Sequence, residues 1–215
     1  MGLAVFRLLT LLCSSLAILA APAPAADWVY FDLGEVILTG TTTTGYTFVP
    51  GVIENLNQLH QAGYQVGIIS NTPEAWGANC QAKFTYLQNF ITPLLKEPKP
   101  FPWTSFNNIV LPPFDRYRKP QPFMFLQGLA QACPGRALYI SESQSELDGA
   151  KKLGYATYLK SSSPVSWPSA TAIKRLLDEQ FHFAYPSNCD LQPSIAASLL
   201  EQDRSSGVAG CVTIP

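Results

Sequence analysis

Six side chains in this 215-residue sequence could do nucleophilic, acid–base or metal chemistry together: Asp32, Ser70, Asn71, Lys119, Glu142 and Glu146. Trp28-Val-Tyr-Phe runs straight into Asp32, and a run apolar at every position fits a strand covered on both faces. A carboxylate at the carboxyl end of such a strand faces a crevice but is backed by a dry core, so it can attack an electrophile or hold a cation. Ser70-Asn71-Thr72 ends a second apolar run, and Pro73-Glu74 reads as the start of a helix. Hydroxyl and amide groups beside a helix amino terminus suit an anion. Lys119 stands before Pro120, which holds it extended and could aim it at the strand ends. Glu142, Glu146 and Asp148 follow a strand into the first turns of a helix, where the dipole favours acids in any protein. Each residue has a plainer reading: Asp32 as a turn cap, Ser70 as a helix cap, Asp115–Lys119 as a solvated charged face.

The elements that must position them alternate. Strands are expected at Trp28–Phe31, Tyr64–Thr72, Asn108–Pro112, Arg136–Ser141 and Tyr155–Leu159. Helices are expected from Pro50-Gly51 to His60, Glu74 to Phe90, Pro122 to Ala132, after Glu142 to Gly154, and Ala170 to Gln180. His60 reads as a helix-end residue, and the Thr-rich Thr39–Gly45 as a hairpin, a flap or a plain loop. Lys96–Ser105 is irregular, with Phe101 and Trp103 expected to pack down as a small lid. This order gives an α/β fold, a parallel sheet with helices on both faces and right-handed crossovers.

Residues 1–25 read as a signal peptide: Arg7, an apolar run from Leu8 to Ala21, then Ala23-Pro24-Ala25, with cleavage after Ala25. An uncleaved anchor is the alternative, although the run is short for a membrane span. A secreted or periplasmic protein follows, with an α/β domain over 26–180 and a tail over 181–215 that carries a short helix around Ser194–Gln202. The chain has 5 cysteines, and setting aside Cys13 leaves an even set, Cys80, Cys133, Cys189 and Cys211, as disulfides require in an exported protein. Cys189–Cys211 is the favoured pair, with Cys80–Cys133 the other if their helices lie side by side. A formal net charge of −1 without a basic patch argues against nucleic acid as partner.

With these residues in this order, the stretch from Trp28 to Leu159 resembles the haloacid dehalogenase-like (HAD) hydrolase superfamily, whose members are mostly magnesium-dependent phosphatases. Phe31-Asp32-Leu33-Gly34 resembles its first motif, Ser70 its second, Lys119-Pro120 its third, and Glu142-Ser-Gln-Ser-Glu146-Leu-Asp148-Gly149-Ala150 its fourth. The resemblance implies a Rossmann-like three-layer fold. Asp32 would be the nucleophile. Asp32, the Gly34 carbonyl and Glu142 would hold Mg2+, with Glu146 orienting or ligating it. Ser70, Asn71 and Lys119 would bind the phosphoryl oxygens, where transition-state charge sits.

Two positions depart from the family pattern. Gly34 stands where a second aspartate usually serves as general acid/base, a loss that typically costs about 10²–10⁴ in rate. Glu142 stands where Asp is usual and is one methylene longer. No large cap fits between the motifs, so an open site for a small or macromolecular phosphorylated substrate is expected. The alternatives are a catalytically weak or inactive binding protein on the same scaffold, and a haloacid dehalogenase, which needs no metal.

Overall fold

The computed structural model describes residues 25–161 and 166–181, and the backbone of 211–213. The apolar run expected to be a signal peptide, Cys189 and the tail helix expected around Ser194–Gln202 lie outside the described residues.

Five parallel strands form the centre: β1 (Trp28–Phe31), β4 (Gln65–Ile69), β5 (Asn108–Leu111), β6 (Ala137–Ser141) and β7 (Ala156–Leu159). An antiparallel hairpin, β2 (Leu38–Thr41) and β3 (Gly45–Phe48), rises between β1 and α1. The sheet runs β7-β6-β1-β4-β5-β8, where β8 (Cys211–Thr213) pairs antiparallel with β5. That sixth strand was not expected: a three-residue segment next to a glycine carries no periodic signal.

The helices are α1 (Val52–Gln61), α2 (Cys80–Ile91), α3 (Pro122–Ala132), α4 (Gln144–Lys152) and α5 (Ala170–Gln180). Alternation along the strands assigns their side chains to two cores. Val29 and Phe31 of β1 join Leu56 of α1, Leu87 of α2 and Ile173 of α5 on one face. Tyr30 joins Phe125 of α3 and Leu147 of α4 on the other. The chain leaves β1 toward β4 and β5, then crosses back to β6 and β7. Right-handed crossovers in opposite directions must use opposite faces. Strand order therefore reverses beside β1, and Asp32 stands at that switch point, where ligands of open α/β sheets bind.

Three expectations need correction. The helix expected from Glu74 begins at Cys80: Glu74–Trp76 is one 3₁₀ turn, Gly77 is extended, and Asn79 caps the real helix by accepting from Ala82 N at 2.9 Å. Phe101 and Trp103 form no lid. Their rings lie 4.1 Å apart between Phe84 of α2 and Phe48 of β3, as part of the core. Cys80 and Cys133 sit on helices that occupy opposite sheet faces, so the condition for pairing them fails. His60 does end its helix, with Nε2 2.8 Å from the Ser105 carbonyl.

Candidate active site

Asp32 follows the last residue of β1, and its backbone N–H still donates to Ile140 O at 2.9 Å, which extends the ladder to the edge of the crevice. Its Oδ1 accepts from Leu33 N at 2.7 Å and lies 2.8 Å from Lys119 Nζ. Burial pushes the Asp32 carboxyl above its ordinary range, and the Lys119 ammonium pulls against that push.

Lys119 is the centre of the cluster. Its ammonium is fully buried and touches Asp32 Oδ1, Glu146 Oε2 at 2.8 Å and the Tyr139 hydroxyl at 2.7 Å. A cation taken out of water needs partners of this kind on several sides. Its backbone is held as well. Lys119 N donates to Asn71 Oδ1 at 2.7 Å, and Asn71 Nδ2 donates back to Lys119 O at 3.3 Å. Arg116 and Arg118, the other cations of that run, turn away: Arg116 lies over the Phe114 ring, and Arg118 pairs with Asp115 at 2.8 Å.

Glu146 comes from the first turn of α4 and is nearly buried. Besides Lys119, its Oε2 accepts from Tyr139 OH at 2.8 Å and Ser141 Oγ at 3.1 Å, while Asn71 Nδ2 reaches Oε1 at 3.4 Å. Gly149, one turn on, lets α4 lie against the Lys119–Pro120 backbone, which brings Glu146 and Lys119 together.

Glu142 sits at the exposed rim, and Ser141 Oγ donates to it at 3.4 Å. Partial burial pushes its carboxyl up, and the nearby Asp32 charge adds to the push. Gly34 lies in the turn after Asp32 with nothing within 4 Å of where a Cβ would stand. Glu35 turns aside: its Oε2 accepts from Thr39 Oγ1 at 2.9 Å, and its carbonyl accepts from Lys160 Nζ at 2.8 Å. Ser70 is buried at the end of β4, beside Asn71 in the wall of a cavity. It does not face a helix terminus, because α2 starts ten residues later and the intervening 3₁₀ turn is too short to present one.

Among the described residues no group of three or more His, Cys, Asp or Glu is arranged to hold a metal ion. Asp32 and Glu142 are nonetheless two oxygen donors whose mutual repulsion a cation would relieve, and Gly34 lies in the turn that follows Asp32. Magnesium commonly takes one or two carboxylates and keeps several waters, so this set fits. Glu146 is engaged by Lys119, Tyr139 and Ser141, which suits the orienting role better than the ligating one.

Sequence reading missed Tyr139 and Ser141. They are two apart on β6 and so point to the same face, toward α4. That alternation was the available signal.

No family model matches the chain, and no curated protein matches it. Solved structures do. A HAD-family enzyme from Bacteroides thetaiotaomicron, a mutant complexed with magnesium and inorganic phosphate, is 12% identical with a TM-score of 0.47, covering 66% of this chain and 97% of that one. The D,D-heptose 1,7-bisphosphate phosphatase from B. bronchiseptica, complexed with magnesium and phosphate, is 15% identical with a TM-score of 0.43, covering 82% and 99%. A Mesorhizobium loti protein provisionally described as a HAD-like phosphatase is 15% identical with a TM-score of 0.48, covering 76% and 90%. This chain's likeness to HAD-family proteins is one of fold.

Proposed function

We propose that the protein is an exported, magnesium-dependent phosphatase that hydrolyses a phosphomonoester through a covalent intermediate on Asp32. The observation that carries the reading is Asp32 at the switch point, with its Oδ1 fixed by Leu33 N and by a fully buried Lys119. Oδ2 is then the oxygen for attack. An Asp32 O–P bond forms and the P–O ester bond breaks. The leaving oxygen takes the electron pair and then a proton from water, because Gly34 supplies none. Water next attacks phosphorus, releasing inorganic phosphate and restoring the carboxylate. Ser70 binds the phosphoryl oxygens as charge spreads over them, and Lys119 and Asn71 join it by exchanging a contact within the cluster for one to phosphate. Asp32, the Gly34 carbonyl and Glu142 would hold magnesium, which screens the phosphoryl charge from the nucleophile.

Phosphate release by the protein from Ala26 onward tests this, on a panel of phosphomonoesters with and without magnesium, beside Asp32→Asn. Magnesium-dependent turnover that vanishes in Asp32→Asn is the expected result. Turnover no higher than that of a folded Asp32→Asn on every ester would sink it. A binding role on the same scaffold is the second reading, favoured by Gly34 in place of an acid. The haloacid dehalogenase reading is weaker, since Glu142 beside Asp32 serves no purpose in a metal-free reaction.

A further inference from the structure

A cavity of about 280 Å³ adjoins the strand ends, with Ser70 and Asn71 on one side and Tyr46, Trp76, Leu87 and Phe90 on the other. The catalytic cluster described above uses none of those four. They come from three separate pieces of chain: the hairpin, the 3₁₀ turn after β4, and α2.

The rings of Tyr46, Trp76 and Phe90 pack as one wall. Trp76 and Phe90 centroids are 5.0 Å apart, Tyr46 and Phe90 are 6.3 Å apart, and Trp76 stacks on Tyr86 at 4.8 Å. The wall is fixed in advance. Tyr46 O accepts from Lys96 N at 2.8 Å, and Phe48 N donates to Glu97 Oε1 at 2.9 Å, so the hairpin is pinned to the chain leaving α2. Glu35, the charged residue of the lining, is engaged by Thr39.

We propose that this cavity receives the leaving group of the substrate and selects a planar, apolar one, so that the preferred substrate class is a small aryl phosphate. The inference rests on the phosphatase reading and names its substrate class. A phosphoryl group between Asp32, Ser70 and Lys119 directs its ester oxygen past Ser70 and Asn71 toward the aromatic wall. An aromatic ring gains offset or edge-on packing there. A sugar or polyol would bring hydroxyls to a surface with few partners to offer. The volume lies just under the roughly 300–1,000 Å³ of ordinary small-molecule sites, which fits a single ring and not a macromolecule.

Two measurements separate this inference from the reading beneath it. The first needs no turnover: calorimetric binding of phenylphosphonate and methylphosphonate to the protein from Ala26 onward, with magnesium. Phenylphosphonate should bind at least tenfold tighter, and Trp76→Ala should cut that ratio at least fivefold. Equal affinities, or no binding of either, overturn the inference. The second compares kcat/KM for phenyl phosphate and glycerol 1-phosphate. The ratio should favour the aryl ester at least tenfold, and Phe90→Leu, a mild change that keeps the helix apolar, should lower it mainly through KM. Brisk turnover of glycerol 1-phosphate with no aryl preference would leave the phosphatase standing and remove the aryl specificity. Tight phenylphosphonate binding without turnover of any ester would do the reverse.

Discussion

Gly149 of α4 lies so close to Pro120 that a Cβ at 149 would stand 2.7 Å from the Pro120 carbonyl oxygen and 3.2 Å from its Cβ. The contact sets the distance between two elements from distant parts of the chain, and it explains why a glycine interrupts a helix at some cost in propensity. Gly149→Val must push α4 away from the Lys119–Pro120 backbone. Overpacking of this kind costs about 1–3 kcal/mol, and urea unfolding should register it. Turnover should fall further than stability, because Glu146 moves off Lys119. An unchanged unfolding midpoint would show that α4 does not rest on this contact.

Lys119 compensates Asp32 and Glu146 at once, each at 2.8 Å. Lys119→Met removes the cation and leaves two mostly buried carboxylates facing each other. Breaking one side of a buried ion pair costs about 3–5 kcal/mol. Asp32→Asn in the same chain removes one of the stranded charges, so the double variant should regain part of the loss. Coupling of about 0.5–3 kcal/mol is expected in a double-mutant cycle measured by denaturant unfolding without metal. Additive losses would mean the three groups do not act as a unit.

Gly34 occupies the turn after Asp32 without being required there, since its backbone is not left-handed and a Cβ would meet nothing within 4 Å. Gly34→Asp should therefore fold with stability changed by no more than about 0.5 kcal/mol. It would bring a carboxyl group to the place where a leaving oxygen needs a proton. Turnover of esters with poor leaving groups should rise, by up to the roughly 10²–10⁴ that acid–base help supplies. Steady-state rates for alkyl and activated aryl esters decide it. A gain confined to alkyl esters identifies proton supply as the missing element, and no gain for either places the limit elsewhere.

Cys80 opens α2 at the strand-end side of the sheet, and β8, which begins at Cys211, packs against the same helix. Cys133 ends α3 on the opposite face. A non-reducing peptide map of the protein should join Cys80 to Cys211 and contain no Cys80–Cys133 link. That leaves Cys133 for Cys189. Recovery of Cys189–Cys211 instead would place the tail otherwise than along β5.

The sequence by itself determined the alternation of strands and helices, because buried strands read as unbroken apolar runs, α1 carries apolar residues at helical spacing, and Pro or Gly marks the helix boundaries. It also brought Asp32, Ser70 and Glu142 to strand ends, since each stands where an apolar run stops, and Pro120 marked Lys119 as held extended toward them. It misread the start of α2, because the pattern around Pro73-Glu74 suits a helix and only the backbone shows the chain extended at Gly77 and restarting at Asn79. Tertiary structure alone decided which face each helix takes, and hence that Cys80 and Cys133 lie apart. It also decided that Glu146 meets Lys119 rather than standing open to a metal. The aromatic wall belongs to the same category. Tyr46, Trp76 and Phe90 are far apart in sequence with no shared period, and only the packing of hairpin against α2 makes them one surface. Local pattern records what each residue needs from its immediate neighbours, whereas contacts between distant segments follow from strand order and crossover direction.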